Sequence, residues 1–177
     1  MLANAQGVKT ERETRVKTTG IPIVSVEWAT TAFPGVNKLR WYREETSGKK
    51  SFEAKFKFNR QFFSIEFSDN GVLEDVEIDR KWKHLSKPTQ EALQNTFKTF
   101  EKFKVQKIQE QWTGSSPQIV QDGILKSDLS NITVKFEIEF RAEIEGKYAI
   151  WEGLFDAKGK LLSKRRVQLR PTDNLDF

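Results

Sequence analysis

The stretch Phe67-Ser68-Asp69-Asn70-Gly71-Val72-Leu73 recurs as Phe155-Asp156-Ala157-Lys158-Gly159-Lys160-Leu161, with Phe, Gly and Leu in register. Upstream, Phe63 falls over Trp151 and Phe62 over Ile150. A chain that repeats itself must use one supersecondary unit twice, which narrows the possible folds more than composition does. Alone, Asp69-Asn70-Gly71 suggests the start of a calcium loop, which needs oxygen ligands at alternating positions and a distant bidentate Glu. Its counterpart has Ala157 and Lys158 where Asp69 and Asn70 stand. Both stretches therefore read as turns in which Gly71 and Gly159 accept a positive φ between an aromatic strand and its return strand.

Each copy contains a second alternating run. Phe52, Ala54, Phe56 and Phe58 fall on one face of "SFEAKFKF", and Val134, Phe136, Ile138 and Phe140 on one face of "VKFEIEF". Period two means strands with one buried side. The links Asn59-Arg60 and Glu143 to Gly146 make these runs hairpins with the aromatic strands. A helical segment precedes each set. In "IPIVSVEWATTAFPG", Val26, Ala29 and Phe33 share a face and Pro34-Gly35 stops the helix. In "LSKPTQEALQNTFKTFEKF", Ser86 caps, Pro88 sits in the first turn, and Leu93, Phe97 and Phe100 line one face. One more strand candidate follows each helix, "NKLRWYREE" and "VQKIQEQW".

The unit is thus one helix and four strands, an α+β pattern repeated in tandem over residues 21–84 and 85–177. The copies differ at residues 113–132, where the second carries about twenty residues with Gly, Pro and Ser punctuation, read either as a functional loop or as a mobile insertion. Residues 6–20 are polar and aperiodic, so residues 1–20 read as a loose leader. Within it, Ala3-Asn4-Ala5 has the small-x-small form that signal peptidase cuts after, so export is expected.

Composition removes several kinds of chemistry. There is no cysteine, which excludes disulfides, thiolate metal sites and thiol catalysis. The single histidine, His84, cannot assemble a Ser-His-Asp or multi-histidine site and reads as a surface linker residue. Glu44-Glu45 and Glu74-Asp75 are adjacent on strands, so each pair points to opposite faces and reads as a solvated edge. No apolar run is long enough for a transmembrane helix. The net charge of +5 is spread over interleaved signs, and only Lys164 to Arg170 forms a compact basic run, so no specific nucleic-acid partner is expected. No enzymatic activity, cofactor or metal is expected.

The tandem helix-plus-four-strand units, "AFPGV" closing the first helix, the alternating "FEAKFKFNRQFFSIEF" hairpin and the aromatic-turn-Gly-x-Leu ending resemble the PepSY-like proteins exported by bacteria. Their fold is similar to that of the beta-lactamase inhibitor protein. The second copy departs from the pattern in lacking Pro-Gly after Phe100. The resemblance implies one continuous antiparallel sheet built by both repeats, helices packed on one face, and an open face. It also implies binding or inhibition of a protein partner and an exported, periplasmic or envelope location.

With Phe52, Phe56 and Phe58 turned toward the helices, the alternation turns Arg40, Tyr42, Lys55, Lys57 and Phe62 outward in the first repeat. In the second it turns Lys135, Arg141, Tyr148, Ile150 and Leu154 outward. Aromatics mixed with cations favour a protein or peptide partner, since each supplies large contact area at low entropy cost. The alternative is a polymer or amphiphile binder, holding polysaccharide, lipid or another anionic ligand on the same residues. A third reading has these side chains only covering one another across strands, or packing on an N-terminal leader.

Overall fold

The structure, a computed structural model, describes residues 8–46 and 48–168. Its elements are β1 (Val8–Val16), α1 (Ile23–Ala32), β2 (Arg40–Thr46), β3 (Lys49–Phe58), β4 (Gln61–Ser68), β5 (Leu73–Asp79), α2 (Lys87–Phe97), β6 (Glu101–Thr113), α3 (Pro117–Lys126), β7 (Thr133–Ile144), β8 (Lys147–Asp156) and β9 (Leu161–Gln168). One helix followed by four strands occurs twice, from α1 to β5 and from α2 to β9, the second set carrying α3 between β6 and β7, and strand neighbours follow chain order in one sheet. Pairing is antiparallel from β1 to β5 and from β7 to β9. A short parallel pairing sets Val8 of β1 opposite Arg166 of β9. The fold is α+β, as the repeat pattern requires.

The chain divides into two compact units. The N-terminal unit holds residues 11–78 and 112–133, and the C-terminal unit holds residues 8–10, 79–111 and 134–168. In the N-terminal unit, Ala29, Ala32 and Phe33 pack on Trp41, Phe52, Ala54, Phe56, Phe63, Ile65, Phe67, Val76 and Ile78. The register explains why one face is apolar: Phe52 stands opposite Phe67, Ala54 opposite Ile65 and Phe56 opposite Phe63. In the C-terminal unit, Leu93 and Phe97 of α2 pack on Phe136, Ile138, Phe140 and Phe155. The helices lie on the apolar face in both.

The turn glycines tie each repeat's strands to its own helix. Gly71 (φ 86°) and Gly159 (φ 76°) both occupy the left-handed region. Ser25 of α1 donates its hydroxyl to the Gly71 carbonyl at 3.2 Å, and Thr96 of α2 donates to the Gly159 carbonyl at 3.0 Å. The duplication first seen in seven residues thus extends to a helix-to-turn hydrogen bond.

Both long hairpins close through two residues of positive φ, Asn59 (47°) with Arg60 (67°) and Glu145 (52°) with Gly146 (72°). Such turns match the twist of the flanking strands. The second link is therefore Glu145-Gly146, shorter than the four residues expected, and Glu143 and Ile144 belong to β7.

Three further readings are corrected. Residues 8–16 of the supposed loose leader form β1, and Thr18–Gly20 form a turn of 3-10 helix. Ala3-Asn4-Ala5 and the end of the basic run at Arg170 lie outside the described residues. The second helix ends at Phe97, and β6 starts at Glu101 after a turn in which the Phe100 N–H donates to the Phe97 carbonyl. This turn leaves the Phe100 ring stacked on Phe140 at 5.4 Å.

The segment 113–132 is neither a bare loop nor an unstructured insertion, because it carries α3. Ser116 caps that helix, accepting from the Ile119 N–H at 3.3 Å, and Pro117 opens its first turn. Ser127 ends it with φ 53°. Val120, which is 1% exposed, and Ile124 join the core of the N-terminal unit, and the Trp28 indole N–H donates to the Pro117 carbonyl at 3.1 Å.

At the start of α2, the Ser86 hydroxyl accepts from the Thr89 N–H at 3.2 Å. Replacing Ser86 with Ala is expected to lower stability by about 1 kcal/mol, since an orphan helix donor loses its partner. Urea denaturation followed by circular dichroism measures this, and an unchanged midpoint would show that the cap is dispensable.

Candidate functional site

The face opposite the core decides what this chain can bind. In the N-terminal unit its rows follow from the register. Arg15 stands opposite Tyr42, Tyr42 opposite Glu53, Glu53 opposite Glu66 and Glu66 opposite Asp75. A neighbouring row runs Arg40, Lys55, Ser64, Glu77. The next places Glu13 opposite Glu44 and Glu44 opposite Ser51. Alternation gave the sidedness of Arg40, Tyr42, Lys55 and Lys57, but it gave no hint of how acidic their surroundings are.

Among the described side chains six carboxylates share this face, and three of them are nearly inaccessible: Glu44 is 8% exposed, Glu53 5% and Glu77 5%. The expectation of a solvated edge at Glu44 and at Asp75 is corrected here. Adjacent carboxylates do diverge, yet cross-strand carboxylates converge. Oxygens of Glu13, Glu44 and Glu53 lie within 4.8 Å of one another, as do those of Glu66, Asp75 and Glu77. Either trio has the spacing to surround a cation.

In the first trio a side chain fills that role. The Lys55 ammonium lies 2.8 Å from Glu13 Oε2 and 2.7 Å from Glu53 Oε2, and 5.0 Å from the centre of the Tyr42 ring. Ser64 donates its hydroxyl to Glu53 Oε1, and a Glu44 carboxylate oxygen lies within 4.8 Å of one on Glu53. Burial alone would push the Glu53 carboxyl up, but the Glu44 side chain, the Lys55 charge and the Ser64 hydroxyl together hold it below the ordinary glutamate value. Burial alone would lower Lys55, but Glu53 and Glu13 outweigh it and keep the ammonium charged well above its usual range. Lys55 is thus committed to its own chain's carboxylates.

Lys57 and Phe62 differ from these. They stand opposite each other, one pair in from the tip of the β3–β4 hairpin. Phe62 is 58% exposed, with the Lys57 ammonium 5.4 Å from its ring centre. In the C-terminal unit Tyr148 stands at the same step from its hairpin tip, one pair in on β7–β8 opposite Glu143, although in the repeat alignment Phe62 matches Ile150, and it is also 58% exposed. Ile150 stands opposite Arg141 and Leu154 opposite Glu137, both half-buried, and half-buried Lys135 faces Asp156. On the same face Glu152 is ion-paired with Arg165. Of the eight residues singled out from sequence, only Phe62 and Tyr148 are large apolar side chains left well exposed.

The residues that sequence reasoning missed are the glutamates. Their signal was present in Glu53, Glu66 and Glu77, each alternating with core residues, but acidic residues in such positions ordinarily mark solvent.

No protein-family model matches the chain, and no curated protein does. Solved structures do. A DUF2874 family protein from Bacteroides ovatus ATCC 8483 superposes with a TM-score of 0.57 at 13% identity, over 82% of this chain and 87% of that one. A BLIP-like protein from Bacteroides fragilis NCTC 9343 gives 0.54 at 12% identity, over 89% and 92%. A protein from Bacteroides eggerthii DSM 20697, described provisionally as periplasmic, gives 0.54 at 15% identity, over 82% and 88%. At such identities the likeness concerns architecture, and on that ground the chain has a BLIP-like fold.

Proposed function

We propose that this protein is a non-enzymatic, exported binding module of the PepSY-like and BLIP-like kind that recognises a protein or peptide partner. The observation that carries the reading is the pair of exposed aromatics, Phe62 and Tyr148, set at the same step from the tip of the corresponding hairpin in each repeat. A large ring left 58% exposed loses free energy by finding a partner, and rings with cations beside them are common binding anchors. Export is supported by the Ala3-Asn4-Ala5 pattern and by the provisional periplasmic description of one structural relative. No helix among the described residues is long and apolar enough to cross a membrane.

The anionic-ligand alternative is weaker in the N-terminal unit. Lys55, one of its expected cations, is already neutralised by Glu13 and Glu53, and the carboxylates around it repel a polyanion. The test is capture of a partner from envelope extract by immobilised wild type and by the Phe62→Ala, Tyr148→Ala double variant. Removing two hot-spot aromatics is expected to cost about 2 kcal/mol or more, roughly a thirtyfold loss of affinity. Equal capture of the same partner would refute the assignment. Binding that collapses as salt rises, with the double variant unaffected, would favour the anionic ligand.

A further inference from the structure

Strand cations elsewhere are engaged by carboxylates of their own chain: Lys49 by Glu74 at 2.6 Å, Lys55 by Glu13 and Glu53, Arg80 by Glu110 at 2.7 Å. One end of the sheet in the N-terminal unit differs. Arg40 at the start of β2, Lys57 near the end of β3 and Arg60 in the β3–β4 turn are exposed and make no ion pair among the described residues. The register groups them: Arg40 stands opposite Lys55, so Lys57 is its diagonal neighbour on the same face, about 7–8 Å away, and Lys57 in turn faces Phe62. We propose that this end of the β3–β4 hairpin docks an acidic segment of a protein partner. Its carboxylates meet Arg40, Lys57 and Arg60, and an apolar side chain beside them covers the Phe62 ring.

Charge complementarity selects the occupant. Cations without partners around one exposed ring call for carboxylates and an apolar group together, the charges steering the encounter and fixing register while the ring supplies buried area. The Lys57 ammonium lies 5.4 Å from the centre of the Phe62 ring, so a carboxylate drawn to Lys57 brings the side chain next to it onto Phe62. A nucleic acid or an anionic membrane carries charges that continue past the hairpin end. The next cation inward, Lys55, is held by Glu13 and Glu53, so such a ligand finds no free cation there. Asp79 ends β5 one residue past Ile78, which stands opposite Phe63, so it lies across β4 from Lys57 and bounds the patch on that side. A short acidic segment stops where the free cations stop.

The second repeat lacks this patch. There Tyr148 faces Glu143, which is ion-paired with Lys102 at 2.6 Å, and the turn carries Glu145 instead of a cation. The inference rests on reading Phe62 as a partner anchor and adds the chemistry of what it meets, on the first hairpin alone. Attraction between exposed charges is screened by salt whereas burial of the ring is not, so binding weakens with ionic strength without vanishing.

A synthetic peptide array in which Asp, Glu, neutral or Lys residues flank Leu or Phe is probed with the full chain, and affinities for the best peptide are measured by fluorescence anisotropy. The tip variant combines Arg40→Gln, Lys57→Gln and Arg60→Asn, Asn being chosen because it tolerates the positive φ of 67° there. A control combines Lys50→Gln, Lys87→Gln and Lys158→Gln, which removes the same net charge from other exposed positions. Wild type is expected to select peptides flanked by Asp or Glu, and the tip variant to bind them about tenfold more weakly while the control keeps its affinity. Should the tip variant fail to fold, Lys57→Gln alone, with an expected loss of about threefold, decides. Selection of neutral or Lys-flanked peptides, equal losses in tip variant and control, or no peptide bound at all overturns the proposal. So does tighter binding of oligothymidylate or phosphatidylglycerol vesicles through the same three cations. Neutral peptides bound in a Phe62-dependent way would refute the acidic partner and leave the binding module standing. The anchors themselves fall only if envelope capture is unchanged in the Phe62→Ala, Tyr148→Ala variant.

Discussion

Replacing Phe97 with Ala is expected to lower the stability of the C-terminal unit by about 4 kcal/mol, a large part of what a typical domain has. Phe97 ends α2 with no exposed surface, and four rings surround it: Phe140 at 5.1 Å, Phe103 at 5.3 Å, Phe155 at 5.5 Å and Phe100 at 6.2 Å between centroids. Those rings come from α2's own exit and from β6, β7 and β8, so they cannot all close on the space a methyl leaves. The loss therefore combines transfer of the ring with a persistent cavity. Phe97→Leu keeps most of the volume and should cost roughly half as much. Urea denaturation followed by near-ultraviolet circular dichroism checks both. A loss below about 2 kcal/mol for Phe97→Ala would mean that the cluster collapses around the gap.

The second large effect belongs to Gly159. Its φ of 76° costs a side-chain-bearing residue about 1–2 kcal/mol. A Cβ there would also sit 2.6 Å from Ala92 Cβ and 2.9 Å from the Leu93 backbone nitrogen, with no flexible side chain to yield, which adds about 1–3 kcal/mol of overpacking. Gly159→Ala is thus expected to lose about 3 kcal/mol in total. Gly146 separates the two causes, because its φ of 72° is similar while nothing lies within 4 Å of its added Cβ. Gly146→Ala should cost only the backbone share, about 1 kcal/mol. Equal losses at the two sites would show that contact with α2 is unimportant. Partial recovery in Gly159→Ala combined with Ala92→Gly would show that it matters.

These glycines mark how much could be read in advance. The turn at Gly71 and Gly159, the hairpins, the sided aromatics and the two-fold repeat were legible because each rests on a short-range rule, positive φ or strict alternation. The β1 strand was not. Its one core-facing apolar residue among those with described side chains is Val16, and polar or charged residues fill most of its other positions, so no hydrophobic period marks it. The α3 helix had a legible start in Ser116-Pro117, the same capping chemistry as Ser86 and Pro88, but Gly and Ser around it gave the segment the look of a linker. The candidate site was half legible. Sidedness placed Tyr42, Lys55 and Phe62 correctly with respect to the core, whereas burial of Glu44, Glu53 and Glu77 depends on how strands pack across one another, which no single strand's alternation encodes.

The placement of α3 carries a consequence for how the duplication can be used. Its sequence interrupts the second repeat between β6 and β7, yet Val120 and Ile124 fill the core of the N-terminal unit. A fragment cut at the boundary between repeats would strip one half of part of its interior and leave the other trailing an uncovered greasy helix. The two repeats are therefore not separable at their boundary in the sequence, and any attempt to shuffle or express one repeat alone has to transplant residues 112–133 with the half that they complete rather than the half that encodes them.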